Sequence, residues 1–170
     1  GAWKGGMSPI TDWQLGATSL DEQRCRFLVW APHSATVDVH IVAPQEQWVA
    51  LTPGVRGYHH AVVAGVPPGS LYCSRLNGQY ERPDPASRLQ PHDVHGPSQV
   101  VDLTFAWDDG AWHGLPWSHY VLYELHVGTY TPAGTFDALI PHLDALRELG
   151  VTALALMPVA QFPGQRNWGY

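Results

Sequence analysis

From about Trp13 to Leu103 the chain is cut every six to twelve residues by a glycine or proline turn signal. Arg24–Trp30 runs into Ala31-Pro32, and residues 36–42 end at Pro44. Residues 47–51 end at Pro53-Gly54, and residues 58–63 at Gly65 and Pro67-Pro68-Gly69. Leu71–Leu76 ends at Asn77-Gly78, a two-residue hairpin signal. Between these breaks, apolar and polar residues alternate, as in Val37, Val39 and Ile41. Such spacing leaves no room for a helix of useful length. It predicts an antiparallel β-sandwich of immunoglobulin-like type over residues 13–103.

The pattern then changes. Residues 104–120 hold Trp107, Trp112 and Trp117 among glycines and Pro116. A free tether does not carry three tryptophans, so this stretch is expected to be a linker packed on a neighbour. Residues 121–127 read as a strand rich in Val, Tyr and Leu. Thr135 can cap a helix with Asp137 in its first turn. Phe136, Leu139, Ile140, Leu143, Leu146 and Leu149 share the spacing of one helix face, and Gly150 is a good terminator. Pro141 lacks an N–H for the carbonyl of Asp137 and should bend that helix. Residues 151–157 are nearly all apolar, as a parallel strand covered on both faces would be. Strand, helix and strand make a right-handed βαβ unit over residues 121–170. Alone it leaves open edges and an uncovered apolar face, so a larger sheet or a closed barrel is expected to continue from it.

Composition removes several function classes. The 170 residues carry a formal net charge of −6, and Lys4 is the only lysine. This argues against nucleic-acid or anionic-membrane partners. No apolar run approaches the length of a membrane span, and no signal peptide is visible at Gly1–Gly6. Cys25 falls in phase with Phe27 and Val29 on the apolar side of its strand, so Cys25 and Cys73 read as free thiols. That points to a reduced, cytoplasmic setting. His59-His60 and His92-x-x-His95 lack partners at metal spacing and read as surface or turn histidines. Gly128 and Gly134 spell no phosphate loop, and no Gly-x-Ser-x-Gly elbow is present. No metal and no cofactor is expected.

The two halves carry specific wording. "ELHVGTYTPAGTFDA" (124–138) and "LMPVAQFPGQRNWGY" (156–170) resemble the first two barrel strands, with their following loops, of α-amylase-clan glycoside hydrolases. Together they resemble most the maltooligosyltrehalose trehalohydrolase family. "RFLVWAPHSATVDVHI" (26–41) and "RPDPASRLQPHDVHGPSQVVD" (82–102) resemble the β-sandwich module that precedes the barrel in such enzymes. The resemblance implies a sandwich followed by the first βαβ unit of a (β/α)8 TIM barrel. It implies retaining hydrolysis of the α-1,4 bond next to the terminal trehalose of a maltooligosyl trehalose, with two carboxylates flanking the bond. Those carboxylates sit after later strands in the family. The chain is therefore expected to hold no catalytic residue and to need the remainder of the barrel.

The same resemblance gives Tyr170 a stacking role on a sugar ring and places Trp168 and Asn167 beside it as substrate-binding residues. An aromatic face suits the C–H face of a pyranose. Glu124 and His126 flank Leu125 and so share one face of their strand. They read as a hydrogen-bonded pair shaping the site, not as an acid/base couple. Three functions stay open: part of an α-glucan hydrolase, with branching and debranching enzymes of the same clan as alternatives; a glucan-binding module without catalysis; or a sandwich that only scaffolds.

Overall fold

The computed structural model describes residues 13–167. It divides into two compact units, with the break between Thr104 and Phe105.

The first unit is built from two antiparallel sheets. One has the order β1 (Gly16–Ser19), β2 (Arg24–Trp30), β6 (Tyr58–Ala64), β5 (Thr52–Pro53). The other has the order β4 (Gln47–Ala50), β3 (Val37–Ala43), β7 (Leu71–Leu76), β8 (Tyr80–Arg82), and β9 (Ser98–Gln99) also pairs with β7. The strands expected from the turn signals are present, with ends that move by one residue at most. The short strands β1, β5, β8 and β9 are additions. They are two to four residues long, too short for a period to register. Asn77 and Gly78 both adopt positive φ between β7 and β8, as the hairpin signal requires. The only helical turn among the described residues of this unit is Val55–Gly57.

Alternation decides the core. Cys25, Phe27 and Val29 of β2 face Val37, Val39 and Ile41 of β3 and Tyr72 of β7 in one buried cluster. Phe27 and Tyr72 meet edge-on across the two sheets, with ring centroids 5.1 Å apart. His59 departs from the surface role expected of it. It is buried because the two-residue period puts it in phase with Ala61 and Val63. Cys25 and Cys73 are buried free thiols.

In the second unit β10 (Leu122–Leu125) and β11 (Ala153–Leu156) pair in parallel, from Leu122 opposite Ala153 to Leu125 opposite Leu156. Three short helices lie between them: α1 (Val127–Tyr130), α2 (Phe136–Leu139) and α3 (Leu143–Glu148). Thr135 caps α2, its hydroxyl accepting from the Ala138 N–H at 3.2 Å. Pro141 does more than bend the expected single helix. It sits in a 3₁₀ turn, Ile140–His142, that separates α2 from α3. Thr152 ties in the segment before β10, accepting from the Val121 N–H and donating to the His119 carbonyl.

Leu125, Val127 and Leu139 form a small core with Tyr123, Tyr130 and Leu154 against it. Two strands cannot cover the rest of the helix face, so Ile140, Leu143 and Leu149 are exposed. β11 is likewise only half-buried, not covered on both faces. In residues 104–120, Trp107, Trp112 and Trp117 are exposed by 74%, 64% and 86%. No helix among the described residues is long and apolar enough to cross a membrane.

Candidate functional site

Parallel strands end together, so the loops that follow them gather at one edge. After β10 the chain turns at once into α1; after β11 it runs on as the irregular segment 157–167. Between these segments lies a cavity of about 520 Å³. His126, Val127, Gly128, Thr129 and Gly134 line it from the first strand's side, and Met157, Pro158, Val159, Phe162, Gln165, Arg166 and Asn167 from the second's. The lining mixes apolar surface with an imidazole, a hydroxyl, two carboxamides and one guanidinium. That composition suits a neutral polyol, with hydrogen-bond partners beside surfaces for C–H faces. None of the described lining residues is a carboxylate.

Of the residues singled out from sequence, Asn167 and His126 line this cavity. Glu124 does not; it is exposed on β10, and the hydrogen bond of His126 is with the Thr129 hydroxyl. Trp168 and Tyr170 lie outside the described residues. Thr129, Phe162, Gln165 and Arg166 were not anticipated. Only their places in the two loop motifs could have raised them, since a threonine or arginine in a loop carries no periodic signal. Among the described residues no group of three or more His, Cys, Asp or Glu is placed to hold a metal.

The β-sandwich has a second surface of interest. The imidazole of His40 and the indole of Trp48 stack with centroids 3.8 Å apart and planes 9° from parallel, and the Arg75 guanidinium lies 3.9 Å from the Trp48 ring. Carboxylates close the array at both ends. Glu81 and Glu46 stand 2.8 and 3.2 Å from the His40 ring nitrogens, and Arg75 donates to Asp38 at 3.0 Å. Apart from Glu46, which precedes β4, these residues are paired across β4, β3, β7 and β8, which puts them on one face.

Residues 14–91 match carbohydrate-binding module 48, the isoamylase N-terminal domain. The chain is 41% identical over 151 residues to the malto-oligosyltrehalose trehalohydrolase of Saccharolobus solfataricus, covering 89% of this chain and 27% of that one. It is 42% identical over 159 residues to the enzyme of the same name from Deinococcus radiodurans, covering 92% and 26%. Identity to a 1,4-alpha-glucan branching enzyme of Kitasatospora aureofaciens is 30%, covering 92% and 23%. Among solved structures, an α-amylase-like protein of Salmonella typhimurium superposes with a TM-score of 0.79 at 43% identity, over 92% of this chain and 26% of that one. A pullulanase from Anoxybacillus, complexed with maltotetraose, gives 0.71 at 26% identity over 96% and 26%. The chain spans about a quarter of the length of these curated relatives.

Proposed function

We propose that this N-terminal region of an α-amylase-family glycoside hydrolase belongs to an enzyme that releases trehalose from maltooligosyl trehalose. β10 and β11 are the first two strands of its (β/α)8 barrel. The carboxylate nucleophile and the general acid of retaining hydrolysis come from the barrel strands that follow. The reading is carried by one observation: the cavity lies where two adjacent parallel strands end, lined by the two segments that carry the family wording. Barrel active sites occupy that end.

In this reading residues 126–134 and 157–170 form one wall of the substrate cleft. Asn167, Trp168 and Tyr170 contact the glucosyl unit at the cleaved bond, and His126 helps shape the floor. The wall orients the glucan and excludes water, while the carboxylate pair of retaining hydrolysis comes from elsewhere in the barrel. The exposed apolar residues of α2 and α3 are the surface against which the rest of the barrel packs.

The test is product analysis of the full-length enzyme that carries these residues. Maltooligosyl trehalose should give trehalose and a shortened maltooligosaccharide. Transfer of glucan chains to new branches, or cleavage of α-1,6 bonds in place of this reaction, would replace the reading by a branching or debranching one. The 170-residue chain by itself should not hydrolyse the substrate.

A second reading rests on the match to a carbohydrate-binding module and on the exposed indole of Trp48. Here the sandwich holds glucan without cleaving it. Trp48→Ala would then weaken maltoheptaose binding by the chain while leaving the cavity of the second unit intact.

A further inference from the structure

His126 is the last residue before α1 and lines the cavity at the end of β10. Its Nδ1 is 3.1 Å from the Thr129 hydroxyl, one helical turn on. Backbone bonds from the Thr129 and Tyr130 N–H groups to the His126 carbonyl hold the same turn. The other ring nitrogen, Nε2, has no hydrogen-bond partner among the described residues. The described residues therefore hold the imidazole at Nδ1 alone.

Two glycines pack behind that ring. A β-carbon on Gly128 would come within 3.1 Å of the imidazole Cε1 and 3.5 Å of Nδ1. A side chain there would make the ring give by a few tenths of an ångström. Gly134, at φ +63°, lies against Gly128 so closely that a β-carbon there would approach the Gly128 carbonyl oxygen to 2.8 Å. Backbone thus packs on backbone behind the ring, and the left-handed φ at 134 independently favours glycine.

We propose that His126 binds a glucosyl hydroxyl through Nε2, and that Thr129 is a positioning residue acting through it, within a clasp made by Gly128 and Gly134. The proposal deepens the functional reading above and rests on it for the ligand class. The hydroxyl at 129 fixes the plane of the imidazole whichever tautomer it holds. Sugar hydroxyls both donate and accept, so either tautomer leaves Nε2 a partner.

The experiment is a double-mutant cycle in the full-length enzyme, using Thr129→Val, His126→Gln and the pair. Two readouts are taken: kcat/KM on maltooligosyl trehalose and calorimetric affinity for maltoheptaose. Thr129→Val keeps the branched shape and should lower both by roughly tenfold, about the worth of one hydrogen bond. Thr129→Ser should restore most of the loss. In the His126→Gln background, Thr129→Val should cost little more. Full loss in that background, or no loss in the wild type, overturns the proposal. A protein that binds maltoheptaose with the predicted coupling but releases no trehalose keeps this inference and defeats the assigned reaction. A wild-type protein that neither binds maltoheptaose nor cleaves the substrate defeats both.

Discussion

The Tyr72 hydroxyl donates to the Asp84 carboxylate across 2.8 Å inside the sandwich. Asp84 also accepts from the Ala86 N–H at 2.8 Å, and its own N–H donates to the Ser98 hydroxyl. Tyr72 lies on β7 and Asp84 in the segment that follows β8, so the pair fastens an irregular stretch to the core. Burial raises the Asp84 carboxyl above its ordinary range and outweighs the hydrogen bonds and the Arg88 charge that lower it. Burial, followed by the charge of Asp84, raises the Tyr72 phenol.

The sign of the pH dependence follows. A carboxyl whose folded pKa is raised holds its proton more tightly in the folded chain than in the unfolded one. Its effect on stability is most favourable at low pH and declines as pH rises from the ordinary Asp value through the raised one. Asp84→Asn removes that decline. The asparagine amide can donate to the Tyr72 oxygen while its carbonyl accepts from Ala86, so little should be lost at pH 7. Tyr72→Phe should instead cost about 1–3 kcal/mol at neutral pH, because it strands a buried acceptor. Thermal melts from pH 4 to 8 distinguish the variants. An unchanged pH slope in Asp84→Asn would remove Asp84 as its source.

Glycines at positive φ differ in what surrounds them. Gly57 (φ 79°) follows Arg56, also at positive φ, and accepts from the Ala31 N–H through its carbonyl. A β-carbon there would strike the Pro32 ring and backbone. Gly65 (φ 74°) has open space on that side. Gly65→Ala should therefore cost only the left-handed strain, about 1–2 kcal/mol. Gly57→Ala adds a backbone collision and should cost about 3 kcal/mol or more. Equal losses in chemical denaturation would show that strain alone governs both sites.

Burial pushes the Cys25 thiol up to about 12, with nearby backbone and arginines opposing it. The Cys73 thiol rises to about 11 through burial and the adjacent Glu81 charge. At pH 8 both remain thiols, and neither is an effective nucleophile. Iodoacetamide should label neither in the folded chain and both after denaturation. Rapid labelling of Cys73 alone would show that its strand opens locally.

The sandwich was legible because turn chemistry and two-residue alternation act over a few residues. Arg24–Trp30 and Leu71–Leu76 match the structure end to end for that reason. His59 was misread because its residue type argued for the surface while its position in the alternation argued for the core, and position prevailed. The helix of the second unit showed the right cap at Thr135 but not its fragmentation, since one proline between two periodic stretches reads equally as a bend or a break. The cavity had a different kind of signal. Its residues come from two segments about thirty positions apart, brought together only by the parallel pairing of β10 and β11. The family wording pointed to those segments; neither composition nor periodicity singled out Thr129 or Arg166.

Tyr170 follows Asn167, the last described residue lining the cavity, by three positions and itself lies outside the described residues. Within the proposed enzyme its ring stacks on the glucosyl unit at the cleaved bond. Tyr170→Ala then removes an apolar face and a fixed orientation from the substrate. Stacking of this kind is worth ~1–3 kcal/mol by analogy with bases on aromatic side chains, and lost orientation adds to it. In the full-length enzyme kcat/KM should fall on the order of ten- to a few-hundredfold, at ~1.4 kcal/mol per decade. Tyr170→Phe keeps the face, loses only the hydroxyl and should fall less. A side chain that works on substrate contributes little to folding, so Tm should hardly move in either variant. A tyrosine that only packs against the protein predicts the opposite pair of results. Tyr170→Ala would then lower Tm by several degrees with kcat/KM nearly intact, and that outcome would end the stacking role.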